Sequence, residues 1–198
     1  MSNNTPPSFA SKDSLDQNFG SNGITLSRLT GQQLTPVGMA ITATGQMVVA
    51  VNAYDAGNGS NSLLLARYTP SGQLDTAFGV GGWVSTRFTA SGGSAFALAV
   101  QTDGKILLAG DTYNGKNLDF ALARYLADGS LDSSFTGNGL ASVDFGAYDD
   151  RALALLVQPD GKVVVAGQTY AVNQDNFALA RYLDNGQLQV ERLGRGFA

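Results

Sequence analysis

A seven-residue string, Phe120-Ala121-Leu122-Ala123-Arg124-Tyr125-Leu126, returns letter for letter as Phe177-Ala178-Leu179-Ala180-Arg181-Tyr182-Leu183, 57 residues later. Leu63-Leu64-Leu65-Ala66-Arg67-Tyr68 is a looser copy, 57 residues earlier. A chain that writes one segment three times in register is a repeat array, in which each unit buries its apolar surface against its neighbours. The flanking text repeats too. In the middle copy, the run at residues 96–101 leads to Asp103-Gly104, a hairpin turn signal, and then to Lys105-Ile106-Leu107-Leu108-Ala109-Gly110. Tyr113-Asn114-Gly115, the anchor string, a loop at 128–135, Asn138-Gly139 and a last run at 140–145 complete the unit. The third copy keeps the order through residues 152–158, Asp160-Gly161, 162–167, Tyr170 and 177–183. The first does so through Thr44-Gly45, 46–51, Tyr54, 63–68 and 83–88. Each full copy predicts four short strands.

Pleating places Phe120, Leu122, Arg124 and Leu126 on one face, and Ala121, Ala123 and Tyr125 on the other. A sheet with one wet face would alternate polar with apolar, so these strands expect neighbours on both sides. Four-stranded antiparallel units stacked on both faces are β-propeller blades, and the fold class is all-β. The expected division is a flexible tail at 1–14, a partial repeat at 15–34, blade 1 at 35–94, blade 2 at 95–150, a three-stranded blade 3 at 151–187 and a divergent tail at 188–198.

Composition narrows the chemistry. Fifteen of the sixteen acidic residues are Asp, which favours turns over helices. The absence of Cys and His removes disulfides, thiolate catalysis, Ser-His-Asp chemistry and the usual soft-metal ligands. No metal or cofactor motif is read. The net charge of −4, with scattered Lys and Arg, gives no basic stripe for nucleic acid. No apolar run reaches the roughly 18 residues of a membrane span. Residues 1–12 lack a signal-peptide pattern and read as a flexible tail, or as what remains after removal of a leader.

The pattern Asp103-Gly104-Lys105-Ile106, the anchor string, and Gly129-Ser130-Leu131-Asp132 with Phe135 and Gly139 resembles the bacterial delta-60 repeat over about residues 15–188. The resemblance implies a propeller-like array from a bacterial, often exported, protein, and so an extracellular or cell-surface location. It implies no common activity and no catalytic set. Gln189 departs from the pattern where Asp is expected, and residues 190–198 lack the Phe-Gly-x-x-Gly ending.

The two ends complement each other. Leu15-Asp16-Gln17-Asn18-Phe19-Gly20-Ser21-Asn22-Gly23 is the tail of a repeat, and residues 24–29 read as a fourth strand without a blade. The third copy lacks its fourth strand, which would leave a row of unpaired backbone groups. Three blades are too few to close, since propellers have about four to eight. The expectation is a homodimer, each 24–29 strand completing the partner's third blade in a six-bladed ring. The alternative is a piece of a longer propeller.

Three residue sets invite a functional reading. Arg67, Arg124 and Arg181 recur, the first two with Asp75 and Asp132 eight residues on; they read as structural pairs pinning the loop between strands three and four, or as an arginine ring for an anion. Tyr54, Tyr113 and Tyr170 each follow a polar residue two positions back, Asn52, Asp111 and Gln168. An aromatic face beside an amide or carboxylate can hold a sugar ring, giving a lectin-like site per blade; otherwise these tyrosines close the blade rim. Asp144, Asp149 and Asp150 are the densest carboxylate group, and paired carboxylates could serve a propeller glycoside hydrolase or lyase. Asp16, Asp75, Asp128 and Asp132 lie in Gly-rich loops without EF-hand spacing and read as turns. The leading expectation is a non-catalytic binding or scaffold module for a carbohydrate or protein ligand.

Overall fold

The computed structural model describes residues 15–57, 59–89, 92–146, 148–171 and 174–189. The tail expected at 1–14, and that expected at 188–198 apart from Leu188 and Gln189, lie outside the described residues. Among the described residues all regular structure is β, in three sheets. Blade 1 runs β1 (Gln32–Ile41), β2 (Met47–Asp55), β3 (Ser60–Tyr68) and β4 (Trp83–Thr86). Blade 2 runs β5 (Gly93–Val100), β6 (Ile106–Tyr113), β7 (Leu118–Tyr125) and β8 (Leu140–Val143). Blade 3 has β9 (Asp150–Val157), β10 (Val163–Ala171) and β11 (Gln174–Tyr182), and among the described residues β11 is an edge of its sheet. Neighbouring strands within each sheet are antiparallel.

Turn chemistry sets the registers. At the β5–β6 turn the Gly104 N–H donates to Gln101 O at 3.0 Å, and the Asp103 carboxylate accepts the Lys105 N–H at 3.1 Å. Gly45 and Gly161 close the same turn in the other blades, each at positive φ, where glycine costs least. The first strand of every blade carries a bulge at one position, skipping Val37, Phe96 and Leu153. The bulge turns the local twist and brings a carbonyl hard against the second strand. Gly110 and Gly167 sit there, and a Cβ on either would fall onto the carbonyl oxygen of Ser94 or Arg151. Gly110→Ala is therefore expected to cost about 3 kcal/mol, the upper end of overpacking penalties, read as a lower urea midpoint at unchanged m-value.

Two apolar layers lie between the blades. Leu63, Leu65 and Phe78 of blade 1 meet Ile106, Leu108 and Ala121 of blade 2. Leu107, Phe120 and Leu122 of blade 2 meet Ala152, Val163 and Val165 of blade 3. A second device interlocks them. The ring of Phe78 fills the space that a Cβ on Gly129 of the next blade would need, and Phe135 does the same at Gly186. Beside these rings, Gly79 N–H donates to Asp128 O at 2.8 Å and Thr136 N–H to Asn185 O at 2.9 Å.

The N-terminal segment repeats this interlock against blade 1. Phe19 lies over Gly72, Gly20 N–H donates to Ser71 O at 2.7 Å, and Thr25 Oγ1 donates to Gly72 O at 2.6 Å. Residues 15–23 thus occupy the place that a preceding blade's tail would take. The strand expected at 24–29 is not formed within the chain: only Ile24 is bridged, to Gly20 and Ser21. The reason is positional, since β4 and β8 already hold the outer edges of blades 1 and 2. The fourth strands expected at 83–88 and 140–145 are shorter than predicted. Phe88 leaves the ladder to join the first apolar layer, and Phe145 to meet Phe120 edge-on at 4.9 Å.

Candidate functional site

Strands β2, β6 and β10 end at one rim of the array, and Tyr54, Tyr113 and Tyr170 lie there. Tyr54 and Tyr113 are exposed, with their ring bodies carried by the strand ends. Their polar companions face the neighbouring blade. Asn52 Nδ2 donates to Ala95 O at 2.8 Å, and Asn52 Oδ1 accepts the Ala95 N–H at 2.9 Å, a two-point clamp from blade 1 onto β5. Asp111 accepts the Ser94 N–H at 3.0 Å, and its other oxygen lies 3.5 Å from Arg151 Nε on β9. Burial pushes the Asp111 carboxyl above its usual range, with Asp149 adding to the rise and the Ser94 amide and Arg151 opposing it. Gln168 is exposed and accepts the Tyr170 hydroxyl at 3.4 Å.

Two shallow cavities share Arg151 at this rim. One, of about 310 Å³, is lined by Asn61, Phe96, Asp111, Tyr113 and Arg151. The other, of about 340 Å³, is lined by Lys116, Asn117, Tyr148, Asp149, Arg151 and Tyr170. The geometry brings Asp111, Tyr113 and Tyr170 to this pair of cavities, while Tyr54 and Asn52 line neither. Arg151, Tyr148 and Asn117 escape a reading by repeats because their counterparts in the other blades are different residues. That departure is itself the signal that could have found them.

At the other end of the strands the arginines lie inside the interlock. Arg124 is buried, with Nε 2.8 Å from Asp132, Nη1 2.9 Å from Asp184 on blade 3, and Nη2 3.2 Å from the Ser134 hydroxyl. Its guanidinium stacks 4.5 Å above the Phe135 ring. Arg67 meets Asp75 at 2.8 Å, lies over Phe78 and donates to Ala127 O of blade 2. The Gln189 N–H donates to Arg181 O at 2.7 Å, as Asp75 and Asp132 do to Arg67 and Arg124. The first two pairs also join their loops to the next blade, through Ala127 O and Asp184.

The carboxylate group divides differently from the expected trio. Asp149 turns away, accepting the Leu118 N–H at 3.0 Å and lying 3.9 Å from Arg151 Nη2. Asp119, from the start of β7, takes its place beside Asp144 and Asp150. The Asp residues of the Gly-rich loops accept backbone amides two positions on, at 2.9 Å for Asp16 and 2.8 Å for Asp128.

Stacked antiparallel blades, with a repeated interlock and a polar rim, define a β-propeller repeat protein. A family described as "Domain of unknown function (DUF5122) beta-propeller" matches residues 42–78, 101–135 and 158–188, more than half of the sequence. The chain belongs to this family. The family's segments cover the second and third strands of each blade and the loop that follows. No curated protein matches the chain. Among the described residues, no helix is long and apolar enough to cross a membrane.

Proposed function

We propose that this chain is a non-catalytic binding or scaffold module that supplies three blades of a closed six-bladed ring, two copies making one ring. The observation that supports this reading most is the contrast between equivalent residues. Phe177 and Leu179 on β11 are 83% and 59% exposed, whereas Phe120 and Leu122 in the same strand positions of blade 2 are 1% and 0% exposed. At the opposite end, Met39 and Ile41 of blade 1 are exposed too. One end face is what the other is built to cover, since each internal junction already joins that pair of faces. The N-terminal segment, docked as a preceding blade's tail, supplies a fourth strand to β11 of the other copy.

Register follows from blade 2, where Ala121 pairs with Ser142. By equivalence Ala178 of one copy lies opposite Leu26 of the other. The chain contains no Cys, so a Leu26→Cys, Ala178→Cys variant tests the pairing cleanly. It is expected to form an intermolecular disulfide under mild oxidation, because directly opposed residues fall within disulfide reach. Light scattering should return twice the 20.5 kDa of the chain. A monomer that forms no such disulfide sinks the ring.

A second reading keeps the fold and adds a ligand: a lectin-like site at the rim, supported by Tyr113, Asp111 and Arg151 lining one cavity. A glycan array probes it. Tyr113→Ala is expected to reduce retention of any bound glycan at least tenfold, by loss of ring stacking, and an undiminished signal removes this site. A hydrolase or lyase reading has less support, because Asp119 and Asp150 are closed off from solvent.

A further inference from the structure

The junction between blades 2 and 3 holds three acidic residues that the repeat does not call for. Asp119 stands where the other blades have Ser62 and Asn176, and Asp144 stands where blade 1 has Arg87. Asp150 opens β9 as Gly93 opens β5. A scaffold built by repetition has no need of residues present once, so this group is an addition to it.

Its geometry is that of a charge awaiting compensation. Each carboxylate offers an oxygen, and all three oxygens lie within 4.8 Å of one another. Asp150 is 0% and Asp119 6% exposed, while Asp144 opens to solvent. Asp150 Oδ2 accepts the Phe145 N–H at 2.8 Å, but Oδ1 is buried and has no hydrogen-bond partner among the described residues. Asp119 Oδ1 accepts Asn114 Nδ2 at 2.8 Å, and Asp144 Oδ1 accepts the Gly146 N–H at 2.7 Å. None of the ion pairs among the described residues takes any of the three. Unpaired carboxylates this close, two of them buried, repel one another, and a cation between them relieves that repulsion.

We propose that Asp119, Asp144 and Asp150 bind one Ca²⁺ ion that ties the β8–β9 loop of blade 2 to the start of blade 3. An all-oxygen donor set selects a hard cation. Calcium bonds of about 2.3–2.6 Å let oxygens up to twice that distance apart share one ion, whereas magnesium, at about 2.0–2.1 Å, draws its ligands closer. A cation here gives buried Asp150, one oxygen of which lacks a hydrogen bond, a charge partner, and the exposed side at Asp144 leaves room for water to complete the shell. The ion would also steady the rim. The same loop is held by Asn117 Nδ2, which donates to Gly146 O at 3.4 Å and to Tyr148 O at 2.5 Å, and it presents Tyr148 to the cavity shared with Tyr170 and Arg151.

The test is calorimetric and thermal titration of chelator-treated full chain with CaCl₂. One ion per chain is expected, with a melting-temperature rise of about 5–10 °C at calcium about a hundredfold above Kd. Asp144→Asn, at the exposed ligand, should lose both signals and still fold. Asp150→Asn should also lose them and, without calcium, melt no lower than the parent, since it relieves like-charge repulsion. Asp160→Asn, a turn acid on blade 3 outside the group, should keep both. A parent that shows neither heat nor thermal shift with CaCl₂ refutes the site. An equal response in Asp144→Asn and Asp150→Asn refutes it too, and a stronger response to MgCl₂ overturns the choice of ion.

Discussion

Phe177→Asp is expected to break the proposed two-copy ring into single chains, with its dissociation constant raised about a thousandfold or more. Phe177 and Leu179 are exposed in the single chain but occupy positions that are closed in both complete blades. Burying a Phe or Leu side chain contributes about 1.5–3 kcal/mol, and an aspartate placed there would be desolvated without a partner, adding further cost. The combined loss passes about 4 kcal/mol, or three decades in Kd. Because residue 177 is exposed in the monomer, the variant should keep the parent's far-ultraviolet spectrum and its unfolding slope. Sedimentation equilibrium separates the outcomes. A variant that associates as tightly as the parent would mean that the β11 face is covered by something other than a second copy.

Whatever one blade fixes by itself is legible in the sequence. Asp103-Gly104 and Thr44-Gly45 are local turn chemistry, and the Phe120 string alternates at the strand period, so strands and turns were legible. The bulges at Val37, Phe96 and Leu153 were not, because a bulge is a property of two paired strands and only Gly110 and Gly167 betray it. Contacts between blades were legible least. Asn52 looks like a rim amide in sequence, yet both ends of its side chain are taken by Ala95, 43 residues away. Asp119 joins Asp144 only because β7 starts beside the end of β8, so adjacency along the chain pointed to Asp149 instead. The strand expected at 24–29 rests on repeat arithmetic alone; the structure bridges only Ile24 there and docks residues 19–25 on blade 1.

Arg124→Ala is expected to be the most damaging single change in the folded chain, at about 3–5 kcal/mol, the range for removing one partner of a buried ion pair. Its guanidinium serves Asp132, Asp184 and Ser134 at once, and its loss strands Asp132 in a site nearly closed to water. Arg67→Ala should cost less, since Arg67 and Asp75 are both more exposed than the buried pair. Acid titration tells the ion pair from lost packing. Burial pushes Asp132 up, but hydrogen bonds from the Ser134 hydroxyl and amide, with the Arg124 charge, outweigh it and hold the carboxyl below 3.8. A carboxyl depressed in the folded state contributes stability above its unfolded pKa and loses it as pH falls through the folded one. The parent should therefore weaken as pH drops below 3.8, whereas Arg124→Ala, with Asp132 no longer held down by the guanidinium, should weaken less steeply. The gap between the two urea midpoints should shrink from pH 7 to pH 3. A gap that stays constant across that interval would assign the cost to the lost stacking on Phe135 and not to the charge.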